Sequence, residues 1–289
     1  MPSNEQRREA AKRKLERQFE RRAEKARKRK QLTIAGSVLG VVLVVAAGAV
    51  VFALTSGDDD TAEPVTASEQ SPGTMPAGRS EPLPETVDCS YPASAQPAAK
   101  EVKPPNTAGV PTTAPDATPS ISIETTQGNI GLGLDGTLSP CTVNSFVSLA
   151  SQNYFDNTTC HRLVASEGLK VLQCGDPTAT GTGGPGYGFD NEFPTDQYDE
   201  ADPSLQIPVT YPRGTIAMAN SGQPGSNGSQ FFLVYEDSQL PPQYTVFGTI
   251  DETGLATIEK VAAAGDDASM QAGGGKPNLP IDIKSVRMD

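Results

Sequence analysis

Histidine, the commonest acid–base residue and metal ligand, is almost absent from this sequence. The 289 residues include one His, His161, and no Trp. One His excludes zinc sites that need two, such as H-E-x-x-H, and leaves few His-dependent triads to consider. The glycine-rich string at 181–188 (GTGGPGYG) lacks the Gly-Lys-Ser/Thr ending of a phosphate-binding loop, and the string at 273–276 (GGGK) runs into Pro277. We interpret both strings as surface turns.

The elements that position any functional residue begin near residue 119. Alternating apolar and polar residues on either side of Gln127-Gly-Asn129 predict a β-hairpin. Ser139-Pro140 predicts the N-cap and first residue of a helix, and a second helix is predicted over about 254–264. Many short strands with two well-separated helices favour an antiparallel β-barrel plugged by helices. Further strands are predicted at 161–164, 170–173, 215–219, 230–235, 245–250 and 281–288.

The charge is distributed unevenly along the chain. Residues 1–31 hold thirteen Lys or Arg and five Glu, a net charge of +8, which leaves −20 for the rest of a chain whose total is −12. Residues 32–55 carry no charge and, at about 1.5 Å per helical residue, are long enough to cross a bilayer. Both segments are longer than in a cleaved signal peptide. We therefore predict an uncleaved transmembrane signal anchor, with the N-terminus cytoplasmic and the C-terminal bulk extracytoplasmic.

The segments on either side of this anchor have no predicted core. The basic cytoplasmic segment 1–31 is expected to be a solvated topology signal that contacts anionic lipid, and no nucleic-acid partner is expected. Residues 56–118 are rich in Pro, Ala and Thr, and this composition predicts an extended or disordered extracytoplasmic stalk. Cys89 interrupts the stalk and suggests a local attachment to the folded domain.

Five strings in residues 119–289 occur in a fixed order: CHRL at 160–163, VLQCGD at 171–176, MAN at 218–220, NGSQFF at 227–232 and VFG at 246–248. Together they resemble the sequence blocks of the cyclophilin-type peptidyl-prolyl cis-trans isomerases. The resemblance implies a mainly β fold, an eight-stranded antiparallel β-barrel closed by two α-helices. The anchored, four-cysteine arrangement with DPTATGTGGPG at 176–186 resembles extracytoplasmic cyclophilins of actinobacteria.

The same resemblance implies an enzyme that accelerates rotation about X–Pro bonds in secreted or envelope proteins. The barrier is about 18–20 kcal/mol because amide resonance is lost, and its lowering needs no cofactor or metal. Arg162 is implied to donate to the imide nitrogen, and Gln173 to orient Arg162 and contact the substrate backbone. Contacts to proline-containing polypeptides are implied for Val171, Met218, Phe232 and Leu240 (the proline pocket), Ala219 and Asn220 (the edge that holds the residue before proline), Gln230 and Tyr244 (the groove).

Three positions depart from the family pattern. Lys170 stands where an aromatic residue is usual, Gln239 where a Trp contacts cyclosporin, and Tyr244 where a His often lines the pocket. We therefore expect weak cyclosporin binding. The departures also keep a second hypothesis open, a catalytically weak scaffold or chaperone that binds proline-containing peptides in the same groove.

The cysteines and the single His have structural interpretations. Cys89, Cys141, Cys160 and Cys174 are an even number in a chain expected to lie in an oxidising compartment, which favours two disulfides with three possible connectivities. Strand alternation argues against Cys160–Cys174, because it places the two on opposite faces if the flanking Arg162 and Gln173 share one. All connectivities therefore stay open. His161 is expected to be a hydrogen-bonded structural residue on the face opposite Arg162.

Overall fold

The computed structural model describes residues 73–289. The basic segment (1–31), the predicted transmembrane segment (32–55) and the first part of the predicted stalk (56–72) lie outside the described residues. Within 73–289, no helix has both the length and the apolar character needed to span a bilayer.

Both predicted helices and the eight predicted strands are present, together with five short strands that were not predicted. Two α-helices are present, α1 (Pro140–Ser151) and α2 (Glu252–Ala263), with short 3-10 turns at Thr195–Gln197 and Pro203–Gln206. The strands are β1 (Thr86–Val87), β2 (Val110–Pro111), β3 (Ser120–Thr125), β4 (Asn129–Leu134), β5 (Thr158–Thr159), β6 (Arg162–Ser166), β7 (Leu169–Cys174), β8 (Val209–Tyr211), β9 (Thr215–Met218), β10 (Phe231–Val234), β11 (Ser238–Leu240), β12 (Val246–Ile250) and β13 (Asp282–Met288).

Nine of these strands form one antiparallel sheet, in the order β5-β13-β3-β4-β12-β9-β10-β7-β6. The edge strands β5 and β6 are joined by only Cys160 and His161. Because three Cα steps span at most about 11 Å, the two edges meet and the sheet curls on itself. The mainly β, antiparallel architecture with two helices is thereby confirmed. The ninth strand is the two-residue β5, which is too short to produce an alternating pattern in the sequence.

The interior of the curled sheet holds the main core. Leu163, Leu172 and Leu233 are paired across β6, β7 and β10, and each is essentially inaccessible to solvent. Helix α1 contributes Phe146, whose ring lies 5.4 Å from that of Phe231, and α2 contributes its own apolar face to the same cluster. The helices therefore cover the interior of the sheet, as the predicted apolar stripes require.

Residues 73–118 differ from the predicted stalk. They have little regular structure, but they lie against the folded domain: β1 pairs with β2, and Tyr91 is buried with its hydroxyl donating to the carbonyl of Cys141 at 2.7 Å. Lys100 donates to the carbonyls of Asn153, Tyr154 and Asp156 just beyond α1. Composition alone missed this because the stabilising contacts are long-range and few per residue.

Both disulfides are formed, Cys89–Cys141 and Cys160–Cys174. The first confirms that Cys89 attaches the N-terminal segment to the domain. The second is the pairing that strand alternation disfavoured. Alternation does not apply there, because Cys160 lies in the connection between β5 and β6 and not in the strand that holds Arg162.

Candidate active site

One row of residues crosses four neighbouring strands on the outer face of the sheet. Arg162 on β6 is paired with Gln173 on β7, Gln173 with Phe232 on β10, and Phe232 with Ala217 on β9. Residues directly opposite each other in an antiparallel sheet point to the same face. The register therefore brings a guanidinium, an amide and an aromatic ring together, although their sequence positions span 70 residues.

Arg162 is half-buried and its guanidinium is held from three directions. Nε donates to the carbonyl of Gly273 at 3.0 Å, Nη2 to the carbonyl of Ala272 at 2.8 Å, and Nη1 to Oε1 of Gln173 at 3.3 Å. Burial lowers the pKa of Arg162, and the nearby Tyr244 opposes this. An arginine nevertheless stays protonated at neutral pH. With five N–H groups on a guanidinium, these contacts leave donors on Nη1 and Nη2 for a ligand.

The amide side chains continue this hydrogen-bond chain. Gln173 donates through Nε2 to Oε1 of Gln230 at 2.9 Å, and Gln230 donates through Nε2 to the carbonyl of Gly183 at 3.0 Å. Each amide is oriented by its neighbour, so the Oε1 atom of Gln173 points at Arg162. Gln173 thus holds one side of the Arg162 guanidinium, and its orienting role during catalysis stays a prediction.

A second apolar cluster lies beside Arg162, on the outer face of the sheet. Val171 and Phe232 belong to it, and Leu240 and Tyr244 pack against it as partly buried residues. The ring of Phe232 contacts that of Tyr244 edge-to-face, with centroids 5.7 Å apart. The structure thus brings four of the predicted proline-pocket and groove residues together with Arg162 and Gln173.

Met218 is the exception, and its predicted place in the pocket is wrong. It is 2 % exposed and belongs to the interior core, where it pairs with Phe231. Strand alternation in β9 turns Met218 inward and presents its neighbours Ala217 and Ala219 to the outer cluster. Ala217 is the pocket residue that the sequence interpretation missed, although the alternation Ala217-Met218-Ala219 was a signal for it.

Ala219 and Asn220 lie just beyond β9, at the predicted edge. The amide of Ala219 donates to the carbonyl of Gln230 at 2.9 Å. The Asn220 side chain donates to the carbonyl of Gln243 at 2.8 Å and to Oδ1 of Asn191 at 3.2 Å. Asn220 therefore joins this edge to the loop before β12 and keeps the backbone in place.

Two of the three departures from the family pattern have partners within the fold. The ammonium of Lys170 lies 4.0 Å from the carboxylate of Glu236, and Nε2 of Gln239 donates to Oγ1 of Thr210 at 2.9 Å. Alternation along β7 sends Lys170 to the face opposite Val171. Neither side chain replaces the aromatic contacts that those positions have in the family.

His161 is buried, as expected, but it is not satisfied. Neither ring nitrogen has a hydrogen-bond partner among the described residues. Burial lowers the pKa of His161; Asp176 acts in the opposite direction and Arg162 in the same direction as burial. Burial therefore favours the neutral form of the imidazole.

A cleft of about 710 Å³ adjoins the hydrogen-bonded amides on the side away from Arg162. Gln173, Ala219, Asn220 and Gln230 border it, so it is continuous with the candidate site. Residues 94–97 also line it, as do the loops at 181–188 and 225–229. Residues 94–97 were not predicted to belong to the site, because no local pattern connects them with residues more than 75 positions away.

Comparison with known proteins identifies relatives of this chain. Residues 120–288 match the family model described as cyclophilin type peptidyl-prolyl cis-trans isomerase/CLD. A probable peptidyl-prolyl cis-trans isomerase B of Mycobacterium leprae (strain TN) is 53% identical over 309 aligned positions that cover 100% of both chains. Its namesake in Mycobacterium tuberculosis (strain CDC 1551 / Oshkosh) is 59% identical over 206 residues, 70% of this chain and 64% of the relative. A crystal structure of a cyclophilin from Cryptosporidium parvum covers 60% of this chain and 98% of its own, at 30% identity and a TM-score of 0.47.

Proposed function

The chain belongs to the cyclophilin-type peptidyl-prolyl cis-trans isomerases, and we propose that it isomerises X–Pro bonds of extracytoplasmic polypeptides through Arg162. The observation that carries this proposal is the cross-strand row in which Arg162, Gln173 and Phe232 share one face of the sheet.

The chemistry needs a group that acts only when the bond is twisted. Rotation removes amide resonance, so the proline nitrogen becomes a hydrogen-bond acceptor in the transition state and not in the planar ground state. A donor aimed at that nitrogen lowers the barrier without binding the ground state equally well. Arg162 fits this role because its guanidinium stays charged, is fixed by Gln173 and two backbone carbonyls, and has free donors.

The remaining residues hold the substrate. The proline ring packs on Phe232, Val171, Leu240 and Tyr244, and the residue before proline lies along Ala219 and Asn220. A Cryptosporidium parvum cyclophilin has been solved in the presence of an Ala-Pro dipeptide. An Ala-Pro peptide contains the X–Pro bond that the proposed reaction needs, so we use it as the minimal test substrate. No cofactor or metal enters the proposed reaction.

Exchange spectroscopy on an Ala-Pro peptide with the full chain in neutral detergent tests the proposal. We expect Arg162→Ala to lower kcat/KM by about 100-fold, the loss seen when one transition-state donor is removed. Arg162→Lys should also be impaired, because an ammonium lacks the planar fork. Arg213→Ala, which removes an exposed arginine paired with Glu252 and Glu259, is the matched control and should keep full activity. Equal activity of Arg162→Ala and the control would exclude the mechanism.

A proline-peptide-binding scaffold or chaperone is the second candidate function. Lys170 and Tyr244 keep it open, because they stand where the family usually has an aromatic residue and a pocket-lining His, and Tyr244 itself packs in the outer cluster. This candidate requires that the wild-type chain bind the peptide while causing no exchange between cis and trans signals. Suppression of aggregation of a proline-free client would extend it to a general chaperone.

We further propose that the protein is a single-pass membrane protein with its isomerase domain outside the cytoplasm, as in extracytoplasmic cyclophilins of actinobacteria. The uncharged run 32–55 and its flanking charges support this, and two disulfides suit an oxidising compartment. Protease added to intact spheroplasts should degrade the domain and leave the basic segment intact. Dissociation of the protein from membranes by alkaline carbonate would contradict the anchor.

The basic segment 1–31 is proposed to bind anionic lipid on the cytoplasmic leaflet. Each basic residue near such a surface contributes about 1 kcal/mol, so thirteen of them are sufficient for firm association. A peptide of residues 1–31 should bind vesicles that contain anionic lipid and lose this binding at high salt. Equal binding to neutral vesicles would contradict the proposal.

Weak cyclosporin binding stays a prediction. Gln239 occupies the position of the drug-contacting Trp, and its amide is directed to Thr210. Calorimetry on the wild-type chain should give a dissociation constant well above the nanomolar range, and Gln239→Trp should tighten it. Nanomolar binding by the wild type would overturn this prediction.

A further inference from the structure

The cleft beside the candidate site has a wall that the family region does not supply. The family model begins at residue 120, whereas Ser94, Ala95, Gln96 and Pro97 line the cleft. The opposite side is built from Gln173, Gln230 and the loops at 181–188 and 225–229, all within the family region. This wall is therefore a feature of this chain's own N-terminal segment.

Backbone hydrogen bonds hold this wall in place. The amide of Ser94 donates to the carbonyl of Gly186 at 3.0 Å, and the amide of Ala99 to the carbonyl of Gly184 at 2.8 Å. The amide of Gly188 donates to the carbonyl of Pro92 at 3.0 Å. Gly186 has a φ of +83°, and a Cβ there would lie within 3.2 Å of three Ala98 atoms, so the two segments approach as closely as glycine permits.

Side-chain and covalent contacts fix both ends of the wall. The disulfide Cys89–Cys141 and the buried Tyr91 hold its start against α1. Lys100 holds its end through three backbone carbonyls beyond α1. Contacts within the protein therefore hold residues 94–97 in place at the cleft without a bound ligand.

The cleft is uncharged. None of its lining residues is ionised at neutral pH, since the only titratable one is Tyr187, whose pKa burial raises to about 12. Asp176 lies buried beneath the adjoining loop, where its carboxylate accepts from the amides of Gly181 and Gly183. The lining offers amide side chains, hydroxyls and backbone groups, which suit an uncharged side chain and do not compensate a charge that leaves water.

We propose that residues 94–97 complete a substrate subsite that selects an uncharged, hydrogen-bonding side chain upstream of the residue preceding proline. The inference rests on the proposed function, in which Ala219 and Asn220 hold the residue before proline. Because the cleft continues beyond these two residues, the next residue upstream reaches it. Gln96 is exposed at the wall, so a substitution that gives it a charge tests this selection.

Three peptides that differ at one position test this subsite: Gln-Ala-Pro-Phe, Lys-Ala-Pro-Phe and Glu-Ala-Pro-Phe, with the full chain in neutral detergent. Exchange spectroscopy gives kcat/KM, and titration in the same samples gives Kd. We expect the wild type to prefer the Gln peptide. Relative to the Gln peptide measured with the same variant, Gln96→Glu should improve the Lys peptide about two- to fivefold and impair the Glu peptide by a similar factor, the range of an exposed ion pair.

Thr113→Glu is the matched control, since it adds the same charge to an exposed position of the same segment that does not line the cleft. It should leave the kcat/KM and Kd values of the three peptides unchanged relative to one another. Equal kcat/KM and Kd values for all three peptides with the wild type would contradict the proposed subsite. Equal effects of Gln96→Glu and Thr113→Glu on these values would contradict it as well. If no peptide is isomerised, the proposed enzymatic function fails, and the charge preference in Kd still decides the subsite.

Discussion

At the scale of single residues, the site depends on how donors and acceptors are matched. Arg162 keeps its position because Ala272, Gly273 and Gln173 accept from it, and these contacts also leave donors free. Its neighbour His161 is the opposite case, with two buried nitrogens that have no partner among the described residues. Arg162 therefore keeps donors free for a ligand, whereas His161 is expected to reduce stability when it becomes charged.

His161 should make the fold sensitive to mild acid. Its pKa in the folded state is lowered by burial, so below about pH 6.5 the unfolded chain binds a proton that the folded chain does not. The free energy of unfolding therefore falls as the pH decreases from 7 to 5, by at most about 1.4 kcal/mol per pH unit for this group. His161→Phe should remove that part of the dependence.

Urea unfolding at several pH values measures this, and the difference between wild type and variant isolates His161. The carboxyl groups of Asp156 and Asp176 have lowered pKa values and titrate below this window. If the free energy of unfolding falls equally for wild type and His161→Phe between pH 7 and 5, the His161 imidazole does not cause the pH dependence.

At the scale of elements, distant residues complete what local sequence begins. Ser139 and Pro140 start α1 as predicted, but the Ser139 hydroxyl donates to the carbonyl of Val246 and does not cap the helix. The carboxylate of Glu192 takes that role, accepting from the amides of Cys141 at 3.0 Å and Thr142 at 2.7 Å. A carboxylate at this position also interacts favourably with the helix dipole.

Replacing Glu192 should therefore destabilise the domain. We expect Glu192→Ala to lower the free energy of unfolding by about 2 kcal/mol, because two helix amides and the Thr142 hydroxyl lose a buried acceptor. Glu236→Ala is the control; it removes an exposed carboxylate 4.0 Å from Lys170 and should cost no more than about 0.5 kcal/mol. Chemical denaturation of both variants makes the comparison, and similar losses would rule out the capping role.

The loop that holds Arg162 gives a second prediction at this scale. Gly274 has a φ of +70°, and a Cβ there would clash with the carbonyl oxygen of Leu163 on β6. Gly274→Ala should push the neighbouring acceptors Ala272 and Gly273 away from Arg162 and lower kcat by tenfold or more, since misplacing a group by about 1 Å can cost 100-fold.

Gly168→Ala is the matched control for this loop. Gly168 also has a positive φ, +75°, but a Cβ there meets no atom within 4 Å. It carries the same backbone strain and should keep normal kcat on the Ala-Pro peptide. Equal kcat values for Gly274→Ala and Gly168→Ala would show that the loop at Gly274 does not position Arg162.

At the scale of the whole molecule, the segment 73–118 extends the folded unit beyond the family region. It lies against α1 and reaches the cleft, attached by the Cys89–Cys141 disulfide. Replacing both cysteines by Ala should lower the free energy of unfolding by about 4 kcal/mol, given the sequence separation of 52 between them. Protease cleavage near residues 92–99 should also accelerate, while kcat/KM on the Ala-Pro peptide is retained because Arg162 and the proline pocket are untouched. Unchanged cleavage would mean that the disulfide does not hold the segment.

Much of the fold was predictable because it depends on local pattern. Alternation located the strands, and apolar stripes with Ser139-Pro140 located the helices. The family motifs also brought Arg162, Gln173 and Phe232 forward as site residues. Met218 was misassigned because its motif carried more weight than the alternation of its own strand. The Cys160–Cys174 pairing was disfavoured because alternation was extended from Arg162 back to Cys160, which lies outside the strand that holds Arg162.

The sequence by itself determined the types of element, the family motifs and the absence of any His-pair chemistry, because each depends on residue identity or on spacing within a few positions. Only the tertiary structure decided the register that aligns Arg162, Gln173 and Phe232, the capping of α1 by Glu192, and the attachment of residues 73–118. All three are contacts between residues far apart in the chain. Their energies depend on distance and burial, which are properties of the folded sheet and are not encoded in any local stretch of sequence.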